Sequence, residues 1–411
     1  MGAGWCECVI FGVTSTRLFY IPLSKSLDYS AMACRIVNMK RSQKDIIIRD
    51  LNKKILLLVG PRQSGKTWLA KDIARDFPNS LYLNYDQLSD RKIIENQSWL
   101  DTTDLLILDE LHKMPDWKNY LKGVFDTKLA HLKILVTGSA RLDVYDRIGD
   151  SLAGRYFRHR LLPFSLAEIS QGVENTNIDK IITRGGFPEP YLAEDDIEAN
   201  RWRMQYINSL LSTDVFEIDV IQNLKGMRLI FDLLRARIGS PISYQSIAED
   251  AAISPVTVKK YIQVLEALFI VFTVTPYSKN IARSLLKEPK IYFFDNGLVA
   301  GNDGAKFENL VALSLLKSVY GKVDALGEAY ALHYLRTKEG EEVDFAIVKD
   351  DAVEMMIEAK LSDKDVSKTL SKFSEKYNYP GVQLVKSLRN EYKHGNISVL
   401  SAEKFLKGLF L

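Results

Sequence analysis

Cysteine is nearly absent: Cys6, Cys8 and Cys34 are the only three in 411 residues. All lie near the start, so a disulfide framework or thiolate zinc site is excluded from the rest of the chain. Such usage fits a reducing compartment, and a cytoplasmic location is expected. Charge of one sign is also lacking, since 55 basic and 52 acidic residues leave +3. No overall field draws the chain to nucleic acid or to a membrane surface, and any basic site must be local. Long apolar runs are missing as well. The nearest, ALFIVFTVT at 267–275, falls short of the roughly 18 residues that span a bilayer, so a soluble protein without membrane contact is expected. What remains is a chain with 46% hydrophobic residues, long enough for two or three domains because single cores stop growing beyond roughly 250–300 residues.

Residues 1–38 carry only five charged side chains, Glu7, Arg17, Lys25, Asp28 and Arg35, and show neither helical nor strand periodicity. They lack the basic start and small-residue cleavage site of a secretory signal, and Cys6 stands where a myristoylation pattern requires Ser or Thr. The well-patterned part opens at Met39. Residues 1–38 are therefore expected to be a poorly ordered extension or to precede the true start, at Met32 or Met39.

The apolar run ILLLVG (55–60) leads into GPRQSGKTWLAKDIA, which matches G-x-x-x-x-G-K-[ST] at Gly60, Gly65, Lys66 and Thr67. Strand, glycine loop and amphipathic helix form the arrangement in which backbone N–H groups and a helix N-terminus cradle a polyphosphate. Gly60, Pro61, Arg62, Gln63, Ser64 and Gly65 are the expected cradle. Lys66 would reach the β- and γ-phosphates, and the Thr67 hydroxyl would bind Mg²⁺. DLLILDELHK (104–113) is a second apolar strand, ending in Asp109 and Glu110, as expected where carboxylates hold Mg²⁺ and prepare the attacking water. A third, LKILVTGSARL (132–142), delivers Thr137 and Ser139 to the same sheet edge, where either can sense the γ-phosphate. ATP and Mg²⁺ are thus the expected cofactors. Three apolar strands separated by helical segments predict an α/β fold with a parallel, doubly wound sheet.

GPRQSGKT, LLILDELHKMPDW, ILVTGSARL and LAGRYFRHRLLPFSLAEI together resemble the AAA-type ATPases of bacteria and archaea labelled archaeal-type, whose C-terminal region was catalogued as a domain of unknown function. The resemblance runs from about residue 40 to the end. It implies that Lys66 and Thr67 bind nucleotide and Mg²⁺, that Asp109 binds Mg²⁺, that Glu110 polarises water, and that Arg155 senses phosphate. Arg141 and Arg147 compete for that last role. An arginine acting in trans would need a second copy of the chain, so a homo-oligomer enters on that ground alone.

Residues 171–235 read as a helical lid or connector, interrupted by the Gly- and Pro-rich RGGFPEPYL (184–192). In 236–300, a helix from Ser243, a turn at ISP and a second helix with Ser254 as N-cap and Pro255 at its first position have helix-turn-helix spacing. FTVTPY and PKIYFF would form a wing, making a winged-helix unit. If DNA is a partner, Thr257, Lys259 and Lys260 on the second helix would touch it. Equally, Val256, Val264, Leu265 and Leu268 explain that helix as packing alone.

Residues 301–411 end in a pattern with chemical content. Glu-x-Lys alone is uninformative, occurring at Glu288/Lys290, Glu358/Lys360 and Glu391/Lys393. EMMIEAK alternates as a strand, so Glu358 and Lys360 share a face. The hairpin before it is expected to put Val343, Phe345 and Ile347 on one face and Asp344 on the other. An amphipathic helix upstream carries Glu308. Carboxylates that hold Mg²⁺ at a phosphate, with an ammonium to orient water, are what metal-assisted phosphodiester cleavage needs. The order helix Glu308, hairpin Asp344, strand Glu358-x-Lys360 is similar to the PD-(D/E)XK nuclease core, with Val343 in place of the usual proline. Glu308, Asp344 and Glu358 are the expected metal ligands and Lys360 the catalytic ammonium. The whole predicts a Mg²⁺-dependent ATPase with residues 39–170 as its core, coupled to a restriction-endonuclease-like α/β domain acting on DNA or a DNA-bound partner. The alternative is a nucleotide-dependent switch without cleavage.

Overall fold

The computed structural model describes residues 39–138, 152–172, 177–215, 223–278, 288–362 and 365–411. Ser139, Arg141 and Arg147 lie outside them, as do the expectations for residues 1–38.

Two sheets organise the chain. The first contains β1 (Ile55–Val59), β2 (Ser80–Asn84), β3 (Leu105–Asp109), β4 (Lys133–Thr137) and β5 (Tyr156–Arg160), in the order β2-β3-β4-β1-β5. Every pairing is parallel. Near-continuous apolar sequence is what a parallel strand needs when helices cover both faces, and β1 and β3 are buried at every position. Their side chains divide between two cores, with Leu57 and Val59 on one face and Leu56 and Leu58 on the other. The helix after β1, α1 (Lys66–Ala74), begins on Gly65 at φ +94°, a left-handed turn that favours glycine.

Between the sheets, α2 (Tyr244–Ala251) and α3 (Pro255–Ala267) form the expected helix pair. Ser254 caps α3 by accepting from the Thr257 N–H at 3.1 Å. Val258, Tyr261, Ile262, Val264 and Leu265 bury its apolar face. Val256 does not join them: it is 79% exposed, because a 3.6-residue period puts it on the outer side. The strands that follow, β6 (Val271–Pro276) and β7 (Lys290–Phe293), pair antiparallel. They are not a free wing, since β6 also pairs with β8 (Tyr330–Arg336) of the second sheet.

That sheet adds β9 (Glu342–Lys349), β10 (Ala352–Ser362), β11 (Gly381–Ser387), β12 (Tyr392–His394) and β13 (Ile397–Ser401), in the order β12-β13-β11-β10-β9-β8-β6-β7. β6 and β7 thereby join the strands that follow residue 300 in one sheet. The long helix α4 (Asp303–Leu326) packs on it. Asn309 of α4 accepts from the Phe293 N–H at 2.7 Å and donates to the Phe293 carbonyl at 3.0 Å, which ties the helix to β7. One apolar core runs from Met39 through Leu162, Tyr206 and Phe293 to Leu406, separate from the two cores that flank the first sheet.

Candidate nucleotide site and the carboxylate cluster

The phosphate loop leaves β1 at its C-terminal end. Gly60 has φ +149° and lies so close to the neighbouring segment that a Cβ there would meet the Leu161 carbonyl oxygen at 2.3 Å, so only glycine fits. Lys66 is buried and donates to the Gly60 carbonyl at 3.1 Å and the Pro61 carbonyl at 2.6 Å. It thereby holds the loop closed around its own ammonium. Burial pulls that ammonium down to about 8, against the opposing attraction of Glu110 and Asp109.

Asp109 ends β3 at the centre of a hydroxyl cluster. It accepts from Thr67 at 2.9 Å and Tyr82 at 2.5 Å, and from Thr137 of β4. Burial, then the bond to Asp109, raises the Tyr82 hydroxyl. An all-oxygen donor set is the hard-ligand chemistry that suits Mg²⁺. Glu110 follows in a left-handed conformation, φ +56°, uncommon for a residue with a side chain. Its N–H donates to the Thr137 carbonyl at 3.1 Å. Burial first, and then the neighbouring Asp109, raises its carboxyl above the ordinary range. A cavity of about 550 Å³ is lined by Lys66, Thr67 and Glu110 together with Met39, Phe164 and Pro188. Sequence reasoning had no signal for Arg41, whose guanidinium lies 4.2 Å from the Phe164 ring centre, or for Tyr82.

Arg155 lies elsewhere. Its carbonyl accepts from Ile55 at the opening of β1, and its side chain pairs with Asp126 at 2.8 Å. The five residues of β1 put roughly 16 Å of strand between it and the loop. Arg155 therefore does not reach the loop of its own chain, because it precedes β5 at the end of the sheet where β1 begins, and only a role in a neighbouring copy is left to it.

A buried charge network leads away from the loop. Arg41 donates to the Ser64 carbonyl, to the Leu162 carbonyl at 3.1 Å and to Glu168 at 3.1 Å. Glu168 also pairs with Lys317 of α4, which donates to the Pro163 carbonyl at 2.9 Å. All three side chains are 4% exposed or less. Burial alone would raise the Glu168 carboxyl, but Lys317 and Arg41 hold it below the ordinary range. Burial lowers Lys317 to about 8 even with Glu168 beside it, as two cations sharing one carboxylate require.

In the C-terminal sheet, the predicted residues are neighbours with a lysine among them. Asp344 accepts from the Ala359 N–H at 2.9 Å, and Lys360 donates to Glu358 at 2.8 Å. Burial, then Asp344, raises both Glu358 and Glu308, the latter to about 7. Lys290 stands among them, its side chain 1% exposed, with Glu342 at 2.7 Å, Glu308 at 3.6 Å and Asp344 at 3.8 Å. Lys290 thus occupies the space between Glu308 and Asp344, two of the three carboxylates expected as metal ligands. Strand alternation also fails here. His333 pairs with Ala346 and Leu335 with Val343, so two residues, Asp344 and Phe345, oppose Tyr334 alone. This bulge re-aims the strand: Val343 packs with Ala346 and Val348, whereas Phe345 and Ile347 enter the other core.

Lys66 carries a test of its own. Were a triphosphate bound through the Lys66 ammonium, as the motif leads one to expect, that charge would be lost as pH rises through about 8. Affinity for a non-hydrolysable ATP analogue should then fall roughly tenfold per further pH unit. Fluorescence titrations on either side of that value check it, and equal affinities would contradict the burial argument.

Comparison with known proteins places these observations. Residues 52–170 match a family model described as AAA domain; residues 175–306 and 303–405 match two described as domains of unknown function. An uncharacterised protein of Mycobacterium tuberculosis is 25% identical over 346 residues, covering 80% of this chain and 76% of that protein. An uncharacterised protein of Methanocaldococcus jannaschii is 25% identical over 345 residues, with 74% of each covered. Among solved structures, a Walker-type ATPase of Pyrococcus abyssi is similar at 15% identity and TM-score 0.43, covering 64% of this chain and 95% of that one.

Proposed function

We propose that this chain, which carries a P-loop ATPase domain of the AAA kind in residues 52–170, is a nucleotide-dependent switch that reports the state of its phosphate loop to its C-terminal sheet. The observation that carries this reading is the Arg41–Glu168–Lys317 network. Arg41 bonds the loop itself at Ser64, and Lys317 lies on α4, the helix that bears Glu308 nine residues earlier, roughly 13 Å along its axis. Binding of a triphosphate between Lys66 and the loop would compete with the carbonyls of Gly60 and Pro61 for the Lys66 ammonium and shift Ser64. A shift at Ser64 changes the geometry of two buried cations on one carboxylate, an arrangement sensitive to small displacements because screening inside the protein is weak.

Lys66 and the loop N–H groups would bind the phosphates, Thr67 and Asp109 would hold Mg²⁺, and Glu110 would orient the attacking water. The metal supplies charge neutralisation at the phosphates. Cleavage of nucleic acid has less support, since Lys290 neutralises the carboxylates that would bind a metal. Lys259 and Lys260 stand exposed on α3, where a DNA partner would meet the protein.

Hydrogen exchange tests the switch. An ATP analogue with Mg²⁺ should slow amide exchange along Asp303–Leu326 in the native chain. In Lys317→Met the same analogue should still bind but leave the helix unchanged. A native helix indifferent to nucleotide would sink the proposal. Metal-dependent cleavage of DNA or RNA that disappears in Lys360→Ala would instead favour a working nuclease.

A further inference from the structure

Lys290 closes one of the three Glu-x-Lys patterns in the sequence, and its side chain is buried in the second sheet. Its side chain is 1% exposed and faces Glu308 of α4 and Glu342 and Asp344 of β9, all within 3.8 Å. The surroundings are built to keep those carboxylates there. The Tyr292 hydroxyl donates to Glu308 at 2.8 Å. Gly239, at φ +78°, leaves the room that Glu308 fills, since a Cβ would meet its Oε2 at 2.5 Å. Asn309, the next residue after Glu308, ties α4 to β7 through both of its hydrogen bonds to Phe293. That tie fixes Glu308 beside the strand from which Lys290 projects. Close by, Glu358 is 6% exposed and its Oε2 is buried without a hydrogen-bond partner.

We propose that Lys290 is a tethered cation which takes the place of a divalent metal among Glu308, Glu342 and Asp344, and that removing its ammonium converts the cluster into a divalent-cation site. The reasoning is electrostatic. Three half-buried carboxylates converging on one point repel one another, and a cation between them relieves that repulsion. A divalent metal or an ammonium meets that need, and the two compete for one space. Lys290 belongs to the chain, so its effective concentration is fixed by the fold and no dissolved ion must be captured. Oxygen-only ligands are those that divalent Mg²⁺ and Mn²⁺ accept once the space is free. This inference does not depend on the switch reading, because it concerns a site away from the phosphate loop.

Mn²⁺ binding to the full chain tests it, followed by electron paramagnetic resonance in an Asp109→Asn background that removes the carboxylate of the nucleotide site. The parent should hold no Mn²⁺ at the cluster. Lys290→Met should gain one bound Mn²⁺ at least tenfold tighter than any in the parent, and adding Glu308→Gln should abolish the gain. If Lys290→Met is unfolded without metal, Mn²⁺ should restore its cooperative melting transition, since a ligand bound only by the native state stabilises it. Lys290→Arg, which keeps the charge, should bind none. Equal Mn²⁺ binding by parent and Lys290→Met would overturn the proposal. So would a Lys290→Met chain that neither binds Mn²⁺ nor is stabilised by it, or a gained site that survives Glu308→Gln.

Discussion

Lys66→Met should abolish ATP hydrolysis and at the same time stabilise the nucleotide-free protein. The two effects have one cause. Lys66 is buried against its own loop and donates to the Gly60 and Pro61 carbonyls, where burial lowers its ammonium from the ordinary 10.5 to about 8. A lysine so lowered is disfavoured in its charged form. At neutral pH the folded state bears a cost on the order of 3 kcal/mol that it would shed as pH rises between those two values. Methionine has similar length, removes the charge and keeps the packing, so the denaturation midpoint should rise at pH 7. Hydrolysis should fall by about 10²–10³ or more, the usual loss when one preorganised charged donor is removed from a developing anion. Steady-state phosphate release and urea titration of both proteins check the pair of effects. Loss of activity with loss of stability would mean that Lys66 is structural.

Glu168→Gln should be the most destabilising single change in the network. The carboxylate is buried, accepts from Arg41 and from the Ser165 N–H at 3.2 Å, and pairs with Lys317. Glutamine preserves the shape but leaves two buried cations facing a neutral amide. Breaking a buried ion pair from one side costs about 3–5 kcal/mol, and here one group serves two partners. With burial already holding Lys317 at about 8, loss of the carboxylate should lower it further. The deficit should therefore shrink in alkaline buffer, where Lys317 can shed its proton. Urea denaturation at pH 7 and at pH 9 measures both. A variant within the error of the parent at neutral pH would show that the network contributes nothing net to the fold. Replacing all three residues by apolar side chains of matched volume should be far milder than Glu168→Gln alone, because no uncompensated charge remains.

Reading the sequence succeeded where structure is local. The loop from Gly60 to Thr67 forms on consecutive residues, and the strands feeding it are unbroken apolar runs. The helix pair at Tyr244–Ala251 and Pro255–Ala267 was legible through Ser254 and Pro255, which act on their own helix end. Failure came where a residue's meaning is set by another far away. Arg155 sits one residue before β5, and no spacing says at which sheet edge that strand begins. Asp344 was assigned a face by alternation, and a bulge visible only in its pairing with β8 broke the rule. Arg41, Glu168, Lys317 and Lys290 look like surface charges in sequence. They become buried partners only across separations of more than a hundred residues, or of dozens for Lys290 and Glu342.

By itself, then, the sequence determined the strand, glycine loop and helix from Ile55 to Ala74 and the carboxylates that end the next core strand, because hydrogen bonding and period act within a few residues of chain. Only the tertiary structure decided what surrounds the C-terminal carboxylates and what ties them to the cradle. Coulombic interactions between buried groups depend on distance in space and on exclusion of water. Both are properties of the packed chain, and α4 sets them by bringing Glu308 to Lys290 at one point and Lys317 to Glu168 at another.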